Sequence, residues 1–252
     1  MLLYTLFVII KTIKREVDLM KELIIDKKTI NLYPRLTTKK TSSGIVLVHN
    51  SNELLKISRK YTCLLGLEKE EDIPDYIKRY LESLNLQKEK FIELEKRSKN
   101  IKNTNFPLGI VKYNDLLVGT ILHYIKNSCD IDTFLKSNPN EFYNVFVKLL
   151  DNIYELFNEY IYPTDIYSNV LIDKNNNPKL IDLDDNWLLL RDKKAITLEK
   201  IVLENYKIFI KDFANYFNFL RKIRIELDEV NTNYDDLVYS LKRIDLIRKN
   251  SI

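Results

Sequence analysis

The sequence predicts an α+β protein in two lobes: a small antiparallel β-sheet lobe with one main helix region over residues 1–124, and a mostly helical lobe over 125–252. Three observations carry that expectation. Short apolar runs broken by turn residues dominate the first part. A strongly charged stretch of helical periodicity interrupts them, and beyond Tyr124 long helical periods take over. With 252 residues and 45% hydrophobic content the chain has enough apolar material for a core, which excludes a disordered protein.

The opening MLLYTLFVII is apolar, yet it has neither a basic n-region nor a small-residue cleavage site. Its roughly ten residues fall short of the ~20 that a spanning helix needs. It is expected as a strand or helix packed on the first lobe, with a weak membrane contact as the alternative. Thr29–Leu36 (TINLYPRL) is expected to be a strand, TTKKTSSG a polar loop, and GIVLVHN with ELLKI two strands joined at Asn50-Ser51-Asn52. Ile73 to Ile101 is helical and rich in charge that faces water. LGIVKY and LLVGTILHYI, split by Asn114-Asp115, form another hairpin.

In the second lobe DIDTFLK is a short helix. In EFYNVFVKLLDNIYELFNEY, Phe142, Phe146, Leu149, Leu150, Ile153, Leu156 and Phe157 recur at three- and four-residue spacing, the mark of a long amphipathic helix. Two strands, NVLID and PKLIDL, follow around the turn Lys174–Asn177, and a mostly helical tail runs from about Thr197 to Arg248. A crevice between the two lobes is expected near Tyr124.

Charge excludes little. The 40 basic and 36 acidic residues leave a formal +4, too weak to argue for a nucleic-acid partner. Neither nucleic acid nor a membrane is an expected partner. Cys63 and Cys129 have no metal-type spacing and suggest no disulfide framework, so a reducing, cytoplasmic location is the default.

The most informative stretch is YPTDIYSNVLIDKNNNPKLIDLDD, Tyr162 to Asp185, where Asp and Asn crowd around two short apolar runs. A carboxylate closing an apolar strand, as Asp182 closes LID, is costly unless something satisfies it. Asp173 and Asn175–Asn177 have the composition of a plain turn. Taken with a strand lysine, a glutamate-rich helix and a hairpin leading out of the first lobe, this order resembles the protein kinase-like fold. The resemblance is closest to the bacterial branch that includes aminoglycoside and choline phosphotransferases, and it covers roughly Asn31 to Tyr216.

That resemblance implies an ATP- and Mg²⁺-dependent phosphotransferase acting on a protein or small-molecule hydroxyl. Such chemistry needs positioning and charge neutralisation more than covalent catalysis. Asn169 and Asp182 match the family's metal ligands, with Asp184 as a further carboxylate. Lys56 matches the strand lysine on the nucleotide phosphates, with Glu95, or failing it Glu93, as its partner. Ser42, Ser43 and Gly44 stand where the family's glycine loop cradles phosphate, and small residues there permit close backbone approach. The main chain from Tyr124 to Asn127 would hold the base.

Two departures stand out. A single Gly44 replaces G-x-G-x-x-G, and Asp165 lies only four residues before Asn169 where the family pattern has five. Either Asp165 is the catalytic carboxylate on a loop shortened by one residue, or Thr164 takes its place and the chain is a pseudokinase that binds nucleotide or a partner without catalysis. The first register is preferred, because Thr cannot replace a carboxylate acceptor. Tyr162 would then pack beneath the loop as support.

Overall fold

A computed structural model describes residues 20–36, 44–83, 88–99, 101–163, 166, 169–182, 187–189, 194–216 and 233–249. The chain is α+β, with a five-stranded mixed sheet and seven helices among the described residues. It divides into two compact units, Met1–Glu95 with Leu108–Leu122, and Lys96–Pro107 with His123–Ile252. Residues 96–107, placed with the first lobe from the sequence, therefore belong to the second unit. Among the described residues no helix is long and apolar enough to cross a membrane; the apolar start, residues 1–10, lies outside them.

The first unit is built on β1 (Lys21–Ile24), β2 (Gly44–Val48), β3 (Glu53–Ser58), β4 (Gly109–Tyr113) and β5 (Leu116–His123), in the order β1-β4-β5-β3-β2. An antiparallel sheet was the expectation; the sheet is instead mixed, because β1 runs parallel to β4. β1 is an edge strand whose residues are mostly exposed, so it carries no alternating apolar pattern to read. The expected strand over Thr29–Leu36 is a second correction. Asp26 accepts the N–H groups of Lys28 and Thr29 and caps the short helix α1 (Lys27–Ile30). Only Arg35 keeps a bridge, to Leu47.

The β4–β5 hairpin turns at Asn114 and Asp115, φ +46° and +66°, a pair of left-handed residues matched to hairpin twist. Ile45, Leu47, Leu55, Ile57, Val111, Val118 and Ile121 form the core beneath the sheet. Helices α2 (Asp75–Ser83) and α3 (Lys88–Ser98) follow β3, and α3 buries Phe91 against Met20 and Ile110.

The second unit centres on α5 (Phe142–Asn158), which follows α4 (Ile131–Ser137). The apolar residues that predict α5 are all buried. The Phe146 ring meets Tyr206 and Phe209 of α6 (Lys194–Tyr216) edge to face, with centroids 6.3 and 5.5 Å away. Helix α7 (Tyr234–Lys249) docks through Tyr234, whose hydroxyl donates to Asp151 Oδ1. That hydrogen bond first, and burial second, push the phenol up to about 12. Two small sheets complete the unit: β7 (Ile161–Pro163) with β10 (Trp187–Leu189), and β6 (Cys129–Asp130), β8 (Val170–Ile172) and β9 (Pro178–Leu180) in the order β6-β8-β9.

Candidate functional site

The site is organised by the β8–β9 hairpin. At its closed end Asp173 Oδ1 accepts N–H groups from Asn175 at 2.8 Å and Asn177 at 3.0 Å, and Asn176 takes the left-handed φ of +60°. Asp173 and Asn175–Asn177 are thus turn residues, as their composition suggests. Helix α5 braces this end: Asn152 Nδ2 donates to the Pro178 carbonyl at 2.9 Å and Lys148 Nζ to Asn177 Oδ1 at 2.9 Å.

At the open end the register Val170↔Leu180 carries on one step, with the Ile181 N–H donating to the Asn169 carbonyl at 2.9 Å. The hairpin therefore delivers Asn169 and Asp182 to the same end of the same two strands. Asn169 is buried, with 7% of its surface exposed, and its N–H donates to the Ile166 carbonyl. Asp182 is half-buried with φ +61°. Asn114, Asp115, Asn127, Tyr160 and Asn176 share that backbone region, and each lies at a turn or just beyond a helix end. Asp182 lies half-buried two residues beyond the end of β9. A left-handed non-glycine residue is uncommon, and aspartate is among the residues that adopt it most readily. Neither Asn169 nor Asp182 is without a partner.

On its other edge β9 receives residues 103–105. Thr104 bridges Leu180 in parallel, the Leu180 N–H donates to the Asn103 carbonyl at 3.2 Å, and the Asn105 N–H donates to the Leu180 carbonyl at 2.8 Å. Tyr124, half-buried, follows β5, and its carbonyl accepts the Lys126 N–H at 3.0 Å. His123 is exposed at the end of β5.

Tyr162 on β7 is 1% exposed and packs on Phe157, with ring centroids 5.5 Å apart. Burial first, and the Glu199 carboxylate second, push its phenol up. Its hydroxyl nonetheless makes no hydrogen bond within geometric limits among the described residues, so Glu199 acts as a nearby charge rather than as an acceptor.

In the first unit Lys56 lies on β3 opposite Val46, with 5% of its surface exposed. A lysine buried to that degree is costly unless its ammonium is satisfied, and Lys56 is not without a partner. Glu93 and Glu95 are half-buried on α3, and each has a partner too. Gly44 opens β2 opposite Ser58, where a Cβ would sit 2.4 Å from the Ile57 carbonyl oxygen. A Cβ at Gly119 of β5 would sit 2.3 Å from the Lys56 carbonyl oxygen, so both glycines serve the close approach of neighbouring strands to β3. Ser42, Ser43, Thr164, Asp165 and Asp184 lie outside the described residues.

Of the predicted site residues the structure thus joins Asn169 and Asp182 on one hairpin of the second unit, which also carries Tyr124, and it puts Lys56, Glu95 and Gly44 on the first. Two groups escape the sequence. Arg59 and Glu68 form a buried bidentate pair, Nε to Oε2 and Nη2 to Oε1 both 3.2 Å, and Thr62 Oγ1 donates to Glu68 Oε2 at 2.9 Å. The other is Asn105, whose only sequence signal is a polar residue just ahead of Phe106-Pro107. Among the described residues no group of three or more His, Cys, Asp and Glu side chains could hold a metal ion. No protein-family model matches the chain, and no curated protein matches it.

Proposed function

We propose that the protein is an ATP- and Mg²⁺-dependent phosphotransferase of kinase-like, bilobal fold that transfers the γ-phosphate to a hydroxyl of a protein or small molecule. One observation carries this: the β8–β9 hairpin brings a buried Asn169 and a half-buried, left-handed Asp182 to the same end.

The donor chemistry fits Mg²⁺. This hard cation takes oxygen ligands, often only one or two from the protein with the rest from water and phosphate. One carboxylate and one amide oxygen meet that need without a larger acidic cluster. Bound there, Mg²⁺ would neutralise charge on the transferring phosphoryl group. Lys56 is assigned to the nucleotide phosphates and Glu95 to holding it. Ser42, Ser43 and Gly44 cover the phosphates, and Tyr124 supplies main-chain contacts to the base. Asp165 accepts the proton of the attacking hydroxyl and orients its oxygen. Free Cys63 and Cys129 suit the reducing cytoplasm, where ATP is at hand.

The short interval from Asp165 to Asn169 favours a second reading, a pseudokinase-like module that binds nucleotide or a partner without catalysis. Calorimetric titration with Mg²⁺ and a non-hydrolysable ATP analogue, beside radiolabelled γ-phosphate transfer, separates the two. Binding and transfer in the wild type, both lost in Asp182→Ala, support the enzyme. Binding without transfer supports the module, and no nucleotide binding by the wild type overturns both.

A further inference from the structure

We propose that Asn105 is a positioning residue that holds the main chain at His123 and Tyr124 in register with the strand leading to Asp182. The inference rests on the phosphotransferase reading, in which Tyr124 serves the base and Asp182 the phosphate end of one nucleotide.

Asn105 is 8% exposed and uses both its main chain and its side chain as connectors. Its N–H donates to the Leu180 carbonyl at 2.8 Å, two residues before Asp182. Its side-chain Nδ2 donates to the His123 carbonyl at 3.0 Å, and its Oδ1 accepts the His123 N–H at 3.2 Å. A planar amide presents a donor and an acceptor side by side, so it imitates the backbone of a neighbouring strand. A carboxylate cannot donate to the carbonyl, and a single hydroxyl cannot span both groups.

The segment bearing Asn105 is itself held. Lys179 Nζ donates to Asn103 Oδ1 at 2.8 Å and to the Lys102 carbonyl at 3.2 Å. Pro107 restrains Phe106 to extended backbone. One residue beyond the clamp the chain leaves β5 and closes on itself: the Tyr124 carbonyl accepts the Lys126 N–H, and Ser128 Oγ donates to the Ile125 carbonyl at 2.7 Å. The two hydrogen bonds to His123 thus tie the end of β5 to Asn105 just before the connection at Tyr124 begins. Asn105 sets the spacing between the base end and the phosphate end of the nucleotide.

The test compares two probes, a non-hydrolysable ATP analogue and inorganic tripolyphosphate, each titrated with Mg²⁺ into the wild type, Asn105→Ala and Asn105→Asp. Tripolyphosphate has no base, so a residue that positions the base end matters to the nucleotide alone. Asn105→Ala is expected to weaken the nucleotide about tenfold while leaving tripolyphosphate unchanged. Asn105→Asp, which keeps the size and the acceptor but loses the donor, is expected to weaken the nucleotide selectively too, and serves alone if the alanine variant does not fold. Equal weakening of both probes, or of neither, overturns the positioning role and leaves the phosphotransferase standing. A wild type that binds neither probe overturns both.

Discussion

Asp115 and Asp182 hold nearly the same left-handed backbone, φ +66° and +61°, in different settings. Asp115 lies exposed at the tip of the β4–β5 hairpin, where the right-handed twist of the strands calls for two successive left-handed residues. Asp182 lies half-buried two residues beyond β9, and it is not without a partner. A left-handed residue in a tight turn follows from turn geometry. Beyond a strand, in a half-buried position, the same backbone is sparsely populated and is held by the structure around it. The neighbourhood therefore tells more about an aspartate than its φ does.

Substitutions at four positions break or sharpen that contrast. The largest effect is expected at Asp182, where on the proposed reading both Asp182→Ala and Asp182→Gly should lower phosphotransfer on the order of a thousandfold, since metal ligation of the kind proposed is worth several kcal/mol. The glycine variant relieves the backbone and should unfold in urea at or above the wild-type midpoint. Activity preserved in Asp182→Gly would show that only the backbone shape mattered. Next comes Asn152→Leu, which strips the Pro178 carbonyl of its buried donor. It should cost about 1–3 kcal/mol in urea unfolding, with a smaller loss of phosphotransfer than at Asp182.

Asp115→Gly should raise stability by less than about 1 kcal/mol, because glycine is the preferred second residue of such a turn, and should leave phosphotransfer unchanged. The smallest effect concerns a third aspartate, Asp26, whose carboxyl is held below its ordinary value first by the Thr29 N–H it accepts. A depressed folded-state value gives stability that is present above the unfolded value of about 3.9 and lost as pH falls through the lower folded one. Asp26→Asn keeps the cap and should flatten acid unfolding slightly in that window, as read by circular dichroism.

Much of the fold was legible because it is local. The three- and four-residue spacing that marks α5 reports its buried face directly, and Asn114-Asp115 and Asp173–Asn177 announce their hairpins through turn chemistry. The misread stretch, Thr29–Leu36, shows local signals in conflict: its strand-like composition yields to the Asp26 cap at one end and to Pro34, which has no N–H to donate, at the other. Strands β6, β7 and β10 are two or three residues long, too short for alternation to register. Arg59 and Glu68, nine residues apart, carry no periodic signal at all, since an ion pair of this kind depends on how the chain folds back after β3.

By itself the sequence determined the α+β class, the three hairpins with their turns, the amphipathic helix α5 and the placing of Asn169 and Asp182 on the two arms of one hairpin, because each follows from residues within a few positions of one another. Only the tertiary structure decided that β1 joins the first sheet in parallel, that residues 103–105 pair with β9, and that Asp182 turns left-handed. Hydrogen bonds between segments distant in the chain leave no periodic trace in either one. Each takes shape only when packing brings the partners within about 3 Å.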